Sequence, residues 1–368
     1  MKWLYGILCL IFLVIFHEFG HFLAAKLFGV KVESFSIGFG PVLLHRTVNG
    51  TDYRISIIPL GGYCGMKGEK DFQKAIEEKL PEITADPDSL YGIHPFKRAL
   101  IGFAGPFFNF IFAVIAYAFI NGIGYTYYSY SNRILINDKV TSKVAQEAGI
   151  ISGDQIIKIN NTETNCFSDL ILELSTRPDE DITVTVDRNG KIILFNLHTD
   201  INKETGDGVI GIAANPDDIV EIEAPRYSFF PAIGHGFLDT TKNAGLIIKR
   251  IGVLFKGINL DKSVMGPLRT TELLGSTVKE GFAEGLREGF ISVMSLLAVI
   301  SISLFIMNLL PVPILDGGLI FIALIEIIIR RRINPRVQYY VQFIGLAFIV
   351  FIFIIGIKGD ILFFFKQR

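Results

Sequence analysis

The sequence predicts a polytopic α-helical membrane protein. Four apolar helices span a bilayer, a β-hairpin joins the first two, and one α+β soluble insert separates the second from the third. Three observations carry this. Half of the 368 residues are hydrophobic and mean hydropathy is +0.46, more than a soluble chain of this size needs for its core. The apolar residues are concentrated in four stretches, while the middle third has ordinary soluble composition. Cys9, Cys64 and Cys166 lie far apart, so no disulfide framework or thiolate metal site organises the fold. A net charge of -1 gives no reason to expect nucleic acid as a partner.

Trp3 to Phe16 is an unbroken apolar run, followed by His17-Glu18-Phe19-Gly20-His21 and more apolar sequence. Residues 3–25 are long enough to cross a bilayer. A signal peptide would share the leading Lys2 and the apolar core, but a cleaved segment has no use for three ionisable groups. In the connection over residues 30–97, Asn49-Gly50 separates Val42–Val48 from Tyr53–Ile58, and Tyr53, Ile55 and Ile57 alternate with Arg54 and Ser56. That is a hairpin pattern. Glu69 to Ser89 is charged and proline-containing and reads as a mobile surface loop. Ala99 to Ile120 is the second span, with small residues for close helix approach and a lone Asn109 that needs a partner. Residues 228–258 mix apolar and charged groups and read as a helix lying on the surface. Phe290 to Leu310 is the third span and Tyr339 to Ile357 the fourth. Arg330, Arg331, Arg332 and Arg336 crowd the loop before the fourth span, which the positive-inside rule places in the cytoplasm. The hairpin is then on the cytoplasmic side, where Lys31 to Arg98 carries nine Lys/Arg. The insert and both termini lie outside. Lys358, Lys366 and Arg368 at the outer end run against this orientation.

A helix brings residues i and i+4 onto one face, so His17 and His21 can hold one metal ion from adjacent turns. Glu18 lies about 100° around the helix, placed to take a proton from a water that the metal activates. Two histidines and a carboxylate set in lipid as mere core polar groups would each cost about 2–3 kcal/mol or more. A catalytic zinc usually has three protein ligands. Asp316 is the best third candidate, the only acid between Phe290 and Glu326, beyond a stretch broken by Pro311 and Pro313. Its competing role is to cap the helix that follows. Glu326 is the rival ligand, though its nearness to Arg330 favours a surface ion pair.

HEFGH in the first span and Asn308-Leu309-Leu310-Pro311-Val312-Pro313-Ile314-Leu315-Asp316-Gly317-Gly318 after the third resemble the paired site-2 protease signatures, HExxH and NxxPxxxLDG. Gly61-Gly62-Tyr63 and Gly105-Pro106-Phe107-Phe108-Asn109 resemble the bacterial group that includes the regulator of sigma-E protease. The resemblance covers nearly the whole chain. It implies one Zn2+ per chain held by His17, His21 and Asp316, with Glu18 as general base. It also implies that Asn308 and Asn109 support the substrate backbone or the transition state; helix–helix hydrogen bonding is the alternative for both.

The insert resembles a bacterial PDZ domain through Val144 to Ile150 and Gly153 to Asn160. Leu170–Leu174 would be its helix, Ile182–Val186 and Ile192–Leu197 later strands, and Gly208-Val209-Ile210-Gly211-Ile212 the loop that receives a peptide terminus. Better-known relatives of this group carry two such domains in tandem; residues 127–222 leave room for one. The expected division is 1–126 for the first membrane half, 127–222 for the PDZ-like domain, 223–286 for a surface-lying helical linker and 287–368 for the second membrane half. The expected function is peptide-bond hydrolysis in or beside the membrane segments of single-span proteins, such as anti-sigma-factor-like substrates or signal-peptide remnants. The setting is the bacterial inner membrane, and Tyr53, Ile55 and Ile57 would hold substrate by strand addition. The rivals are a Glu-liganded HExxH membrane protease, a PDZ-bearing scaffold with a non-catalytic metal site, and a metal transporter.

Overall fold

The structure, a computed structural model, describes residues 1–136, 142–202, 205–254 and 265–366. The chain divides into two units. The first comprises Met1–Ile120, Ser228–Ala244 and Gly266–Arg368, and the second Asn121–Tyr227 and Gly245–Met265.

Among the described residues, four helices are long and apolar enough to cross a membrane: α1 (Lys2–Leu27), α3 (Pro95–Ile123), and two later ones, Leu286–Asn308 and Pro335–Lys366. They coincide with the expected spans and extend past them, except that the third helix stops at Asn308, two residues short of the expected Leu310. Small residues let the helices of the first unit touch. A Cβ at Gly20 of α1 would overlap the Ala104 carbonyl of α3, the close approach that membrane helices use in place of a hydrophobic drive.

Between α1 and α3 the hairpin is a larger sheet than the sequence suggested. β1 (Val32–Val48) and β2 (Thr51–Met66) turn at Asn49-Gly50, where both residues have positive φ, the geometry a twisted two-residue hairpin requires. Both strands also fold on themselves. Phe35 pairs with Tyr53 on one side and Cys64 on the other, and Ile37 with Ile55 and Gly62. Four runs therefore lie side by side in the order 42–48, 51–58, 32–37, 62–66.

The expected mobile loop at 69–89 is corrected. It contains α2 (Glu69–Glu77), whose Ala75 is buried and whose Phe72 stacks on Tyr91 at 5.7 Å. Ser89 is buried and donates to Asp71 at 2.8 Å. Apolar residues at one helical face outweigh the surrounding charge.

In the second unit, four antiparallel strands run in the order β6 (Thr162–Glu163), β5 (Gln155–Ile159), β7 (Asp181–Arg188), β8 (Lys191–His198). Two pairs accompany them: β3 (Thr126–Tyr130) with β12 (Ile219–Glu223), and β4 (Ile134–Ile136) with β11 (Ile212–Ala214). A short pair, β9 (Asp200–Ile201) and β10 (Gly208–Val209), and two helices, α4 (Val144–Glu147) and α5 (Phe167–Ser175), complete it. Ile182, Val184 and Val186 alternate inward and meet Ile156, Leu170 and Leu174 in one core. Asp154, its side chain 1 % exposed, receives Arg188 through both carboxylate oxygens at 2.8 Å and the Ile151 amide at 2.9 Å. Burial would raise its pKa, but these bonds prevail and hold it below the usual carboxylate range.

The remainder is α6 (Phe229–Leu254), α7 (Pro267–Glu284), α8 (Leu286–Asn308), α9 (Asp316–Ile329) and α10 (Pro335–Lys366). The expected linker is partly corrected. α7 packs into the first unit, where a Cβ at Gly275 would overlap the Lys2 backbone. Asp360 of α10, fully buried, accepts the amides of Gly266 and Leu268 at 2.9 Å and Arg269 at 3.2 Å. It caps α7 from another helix. Residues 255–264 of that linker lie outside the described residues.

Candidate metal centre

His17 and His21 sit one turn apart on α1 and both are buried. His21 Nδ1 is 2.8 Å from the Ile101 carbonyl. A carbonyl only accepts, so Nδ1 carries the proton and Nε2 keeps its lone pair. The Asn109 amide lies 3.0 Å from His17 Nδ1, with Nδ2 toward the ring and Oδ1 buried without a partner. Turning the amide over places Oδ1 on an Nδ1–H, ends that orphan, and frees the His17 Nε2 lone pair as well. Ile101, Gly105 and Asn109 follow one another at four-residue steps on α3. A Cβ at Gly105 would overlap the His21 imidazole.

The third donor comes from a broken helix. α8 ends at Asn308, Pro311 and Pro313 prevent its continuation, and α9 begins at Asp316. Gly317 and Gly318 allow the connection to lie flat, since a Cβ at either would overlap the Leu309–Leu310 or Val312–Pro313 backbone. Asp316 stands in the first turn of α9, where the helix dipole favours a carboxylate. Its Oδ2 is 3.1 Å from His17 Nε2, its Oδ1 is 3.2 Å from His21 Nε2, and the two Nε2 atoms are 3.3 Å apart. Ligands 2.0–2.1 Å from a tetrahedral ion stand roughly 3.3 Å from one another. Each Nε2 has one Asp316 oxygen at such a distance, the trio's ligand atoms all lie within 4.8 Å of one another, and among the described residues no other His/Cys/Asp/Glu trio is so arranged.

The trio opens into a cavity of about 590 Å³, whose walls include Glu18, Asn308, Tyr63 and Cys64. Glu18 is not among the converging donors; it faces the same space and accepts the Cys64 backbone N–H. Ser301 of α8 donates to the Asn109 carbonyl at 2.9 Å, tying that wall to α3. Asn308 and Asn109 both line the cavity, and the Asn109 side chain is also engaged with His17.

Other expected sites move. Glu326 is no surface residue and no ligand. It is buried in an ion pair with Arg98 and accepts the Ile333 amide at 2.9 Å. Tyr53 and Ile55 are paired on both flanks, to Arg46 and Leu44 on one and to Phe35 and Ile37 on the other. Neither they nor Ile57 lines the cavity; the run that does is 62–66, at the sheet edge. In the second unit Gly208, Ile210, Gly211 and Ile212 are buried, and Val209 is half-buried. Ile210 and Ile212 belong to the core, and the Ile210 carbonyl takes the Ala145 amide at 2.8 Å. This loop is a packed element more than an open cradle. β11 pairs with β4 along one edge only among the described residues. Sequence reasoning missed the Ile101 carbonyl and the Cys64 amide, because a backbone group leaves no mark in the residue type; the 101–105–109 spacing was the available clue.

Comparison with known proteins agrees with this geometry. The family model described as peptidase family M50 matches residues 5–352. A protein of Treponema pallidum named "putative zinc metalloprotease" is 32% identical, covering 99% of this chain and 100% of its own. That alignment spans 448 positions, so the relative carries inserted segments. Similarly named proteins of Campylobacter jejuni (34% identical; 98% of this chain, 93% of the relative) and Helicobacter pylori strain J99 (31%; 97% and 98%) match just as fully. With the family model covering nearly the whole length and relatives above 30% identity end to end, the chain belongs to peptidase family M50.

Proposed function

We propose that the protein is a zinc metalloprotease that hydrolyses peptide bonds within or beside the membrane-spanning segments of single-span proteins. The observation that carries this is the meeting of His17, His21 and Asp316, with Glu18 beside them, in a cavity that α9 and the sheet edge share with three helices long and apolar enough to cross a membrane. The relatives' names supply the metal. Zinc held by these three side chains supplies a Lewis acid and an activated water at neutral pH. Everything else falls to the chain itself. Glu18 takes the water's proton and returns it to the leaving amine. The α3 wall holds both imidazoles with their Nε2 atoms inward. Asn308, on the cavity wall, is placed to donate to the substrate backbone or to the oxyanion.

A helical substrate hides its amides, so it must unwind before water can attack. An unwound segment laid along the 62–66 edge would gain backbone partners and pass beside Glu18. The second unit, read as PDZ-like, would receive a peptide terminus along the edge of β11 that is unpaired among the described residues. The arginine-rich loop at 330–336 lies in the cytoplasm, and the insert and both termini outside, in the bacterial inner membrane. A scaffold with a relic metal site has no use for a carboxylate at Glu18, and Glu326 is unavailable as the ligand of another HExxH class.

The test is cleavage of a single-span substrate by purified full-length protein in liposomes. Activity should vanish with a zinc chelator, return with added zinc, and yield fragments cut in or next to the membrane segment. Cleavage indifferent to chelation, or confined to soluble loops, would refute the proposal.

A further inference from the structure

A second cavity, of about 630 Å³, lies where α9 ends and α3 begins. Arg330, Arg331 and Arg332 line it, together with His94 and Pro95 at the first turn of α3. The adjacent acids do not balance these charges. Glu326 is committed to Arg98, the Ile333 amide and Gln338. Glu82, an exposed residue, faces Arg332. Among the described residues Arg330 and Arg331 have no ion-pair partner. Burial first, and then the neighbouring Arg98 guanidinium, push the Arg332 pKa down despite the opposing pull of Glu326 and Glu82. The N-terminus of a 29-residue helix adds its dipole with the same sign.

The backbone points the same way. Arg330 closes α9 in the left-handed conformation, φ 54°, where glycine would sit at lower cost. An arginine there keeps a guanidinium on the cavity wall at the expense of the helix end. The cavity's apolar side is also distinctive. Ile327 lines it, and Phe96, Ile328 and Ile329 are exposed nearby, so an occupant with apolar chains can extend along α9 while its anionic end meets the arginines. We propose that this cavity binds the phosphate headgroup of an anionic membrane lipid. Guanidinium forks suit phosphate oxygens, and a lipid satisfies the apolar flank that a free anion leaves bare. The proposal is independent of the protease reading.

The test uses the full-length protein in detergent, titrated with short-chain phosphatidylglycerol or with phosphatidylcholine of the same chains, following Tm. A ligand of the folded state raises Tm saturably. Phosphatidylglycerol should do so and phosphatidylcholine should not. The Arg330→Gly/Arg331→Gln variant should weaken the apparent affinity by about tenfold or more. Arg330→Gly alone suits the left-handed backbone, so its loss of affinity cannot be put down to misfolding. Equal responses to the two lipids, or unchanged affinity in both variants, would overturn the proposal. So would inorganic phosphate reproducing the full phosphatidylglycerol shift, which would assign the cavity to a free anion.

Discussion

His17 and His21 each have one ring nitrogen committed to α3, and this fixes which nitrogen faces the cavity. The ligands themselves were legible in the sequence, because HExxH specifies a helical face. The groups that orient them were less so: Asn109 was identified as a polar residue seeking a partner, and the fold supplies His17. Glu326 shows the opposite failure. Its nearness in sequence to Arg330 suggested a surface pair, whereas the fold brings Arg98 to it from 228 residues away. Charge patterns within a segment say nothing of charges delivered by another helix. Glu326 lies ten residues beyond Asp316, about 15 Å along α9, too far to join the metal. Glu326→Gln should therefore leave zinc per folded molecule unchanged but uncover the buried Arg98 charge, costing about 3–5 kcal/mol. Thermal unfolding in detergent beside elemental analysis checks both. Unaltered stability would mean the pair is not buried in the native protein.

The four spans, the Asn49-Gly50 turn and the insert's main strands were readable as elements because each has a periodicity or a turn signal of its own. The way β1 and β2 double back was not. Residues 32–37 and 62–66 pair across a long intervening stretch, and Gly61-Gly62 reads only as a stop until Ser36 is seen against it; a Cβ at Gly62 would lie 2.7 Å from the Ser36 carbonyl. In the proposed mechanism it is therefore the edge run, and not Tyr53, Ile55 and Ile57, that is offered as the substrate-holding strand. A photo-crosslinking residue at Tyr63 should capture a single-span substrate, and one at Tyr53 should not. Capture at Tyr53 alone would restore the interior strand to that role and remove the edge from the mechanism. The loop at 69–89 failed for a related reason: its apolar residues are few, but Phe72 and Ala75 share a face and find Tyr91 and the interior.

At the scale of the whole molecule, α1, α3 and the α8–α9 break each bring one part of the centre: the histidines, their supports, and the carboxylate. Such an assembly works in a membrane only with a defined orientation. Single cysteines at Asp200 and Asn334, labelled with an impermeant thiol reagent on intact cells, should react at 200 and stay protected at 334. Labelling at 334 alone would invert the topology. The order of parts along the chain was legible because two motifs in separate apolar segments must meet to make one site. The burial of Gly208–Ile212 was not, since a glycine-rich loop has the same sequence whether it is open or packed. In the proposed mechanism metal binding and proton transfer belong to different residues of one cavity. Zinc per protein, measured by elemental analysis on detergent-purified variants beside cleavage of a model transmembrane substrate, separates the two. Glu18→Gln should keep its zinc and lose nearly all turnover, while Asp316→Asn should lose zinc and turnover together. Full activity in Glu18→Gln, or full zinc occupancy in Asp316→Asn, would contradict it.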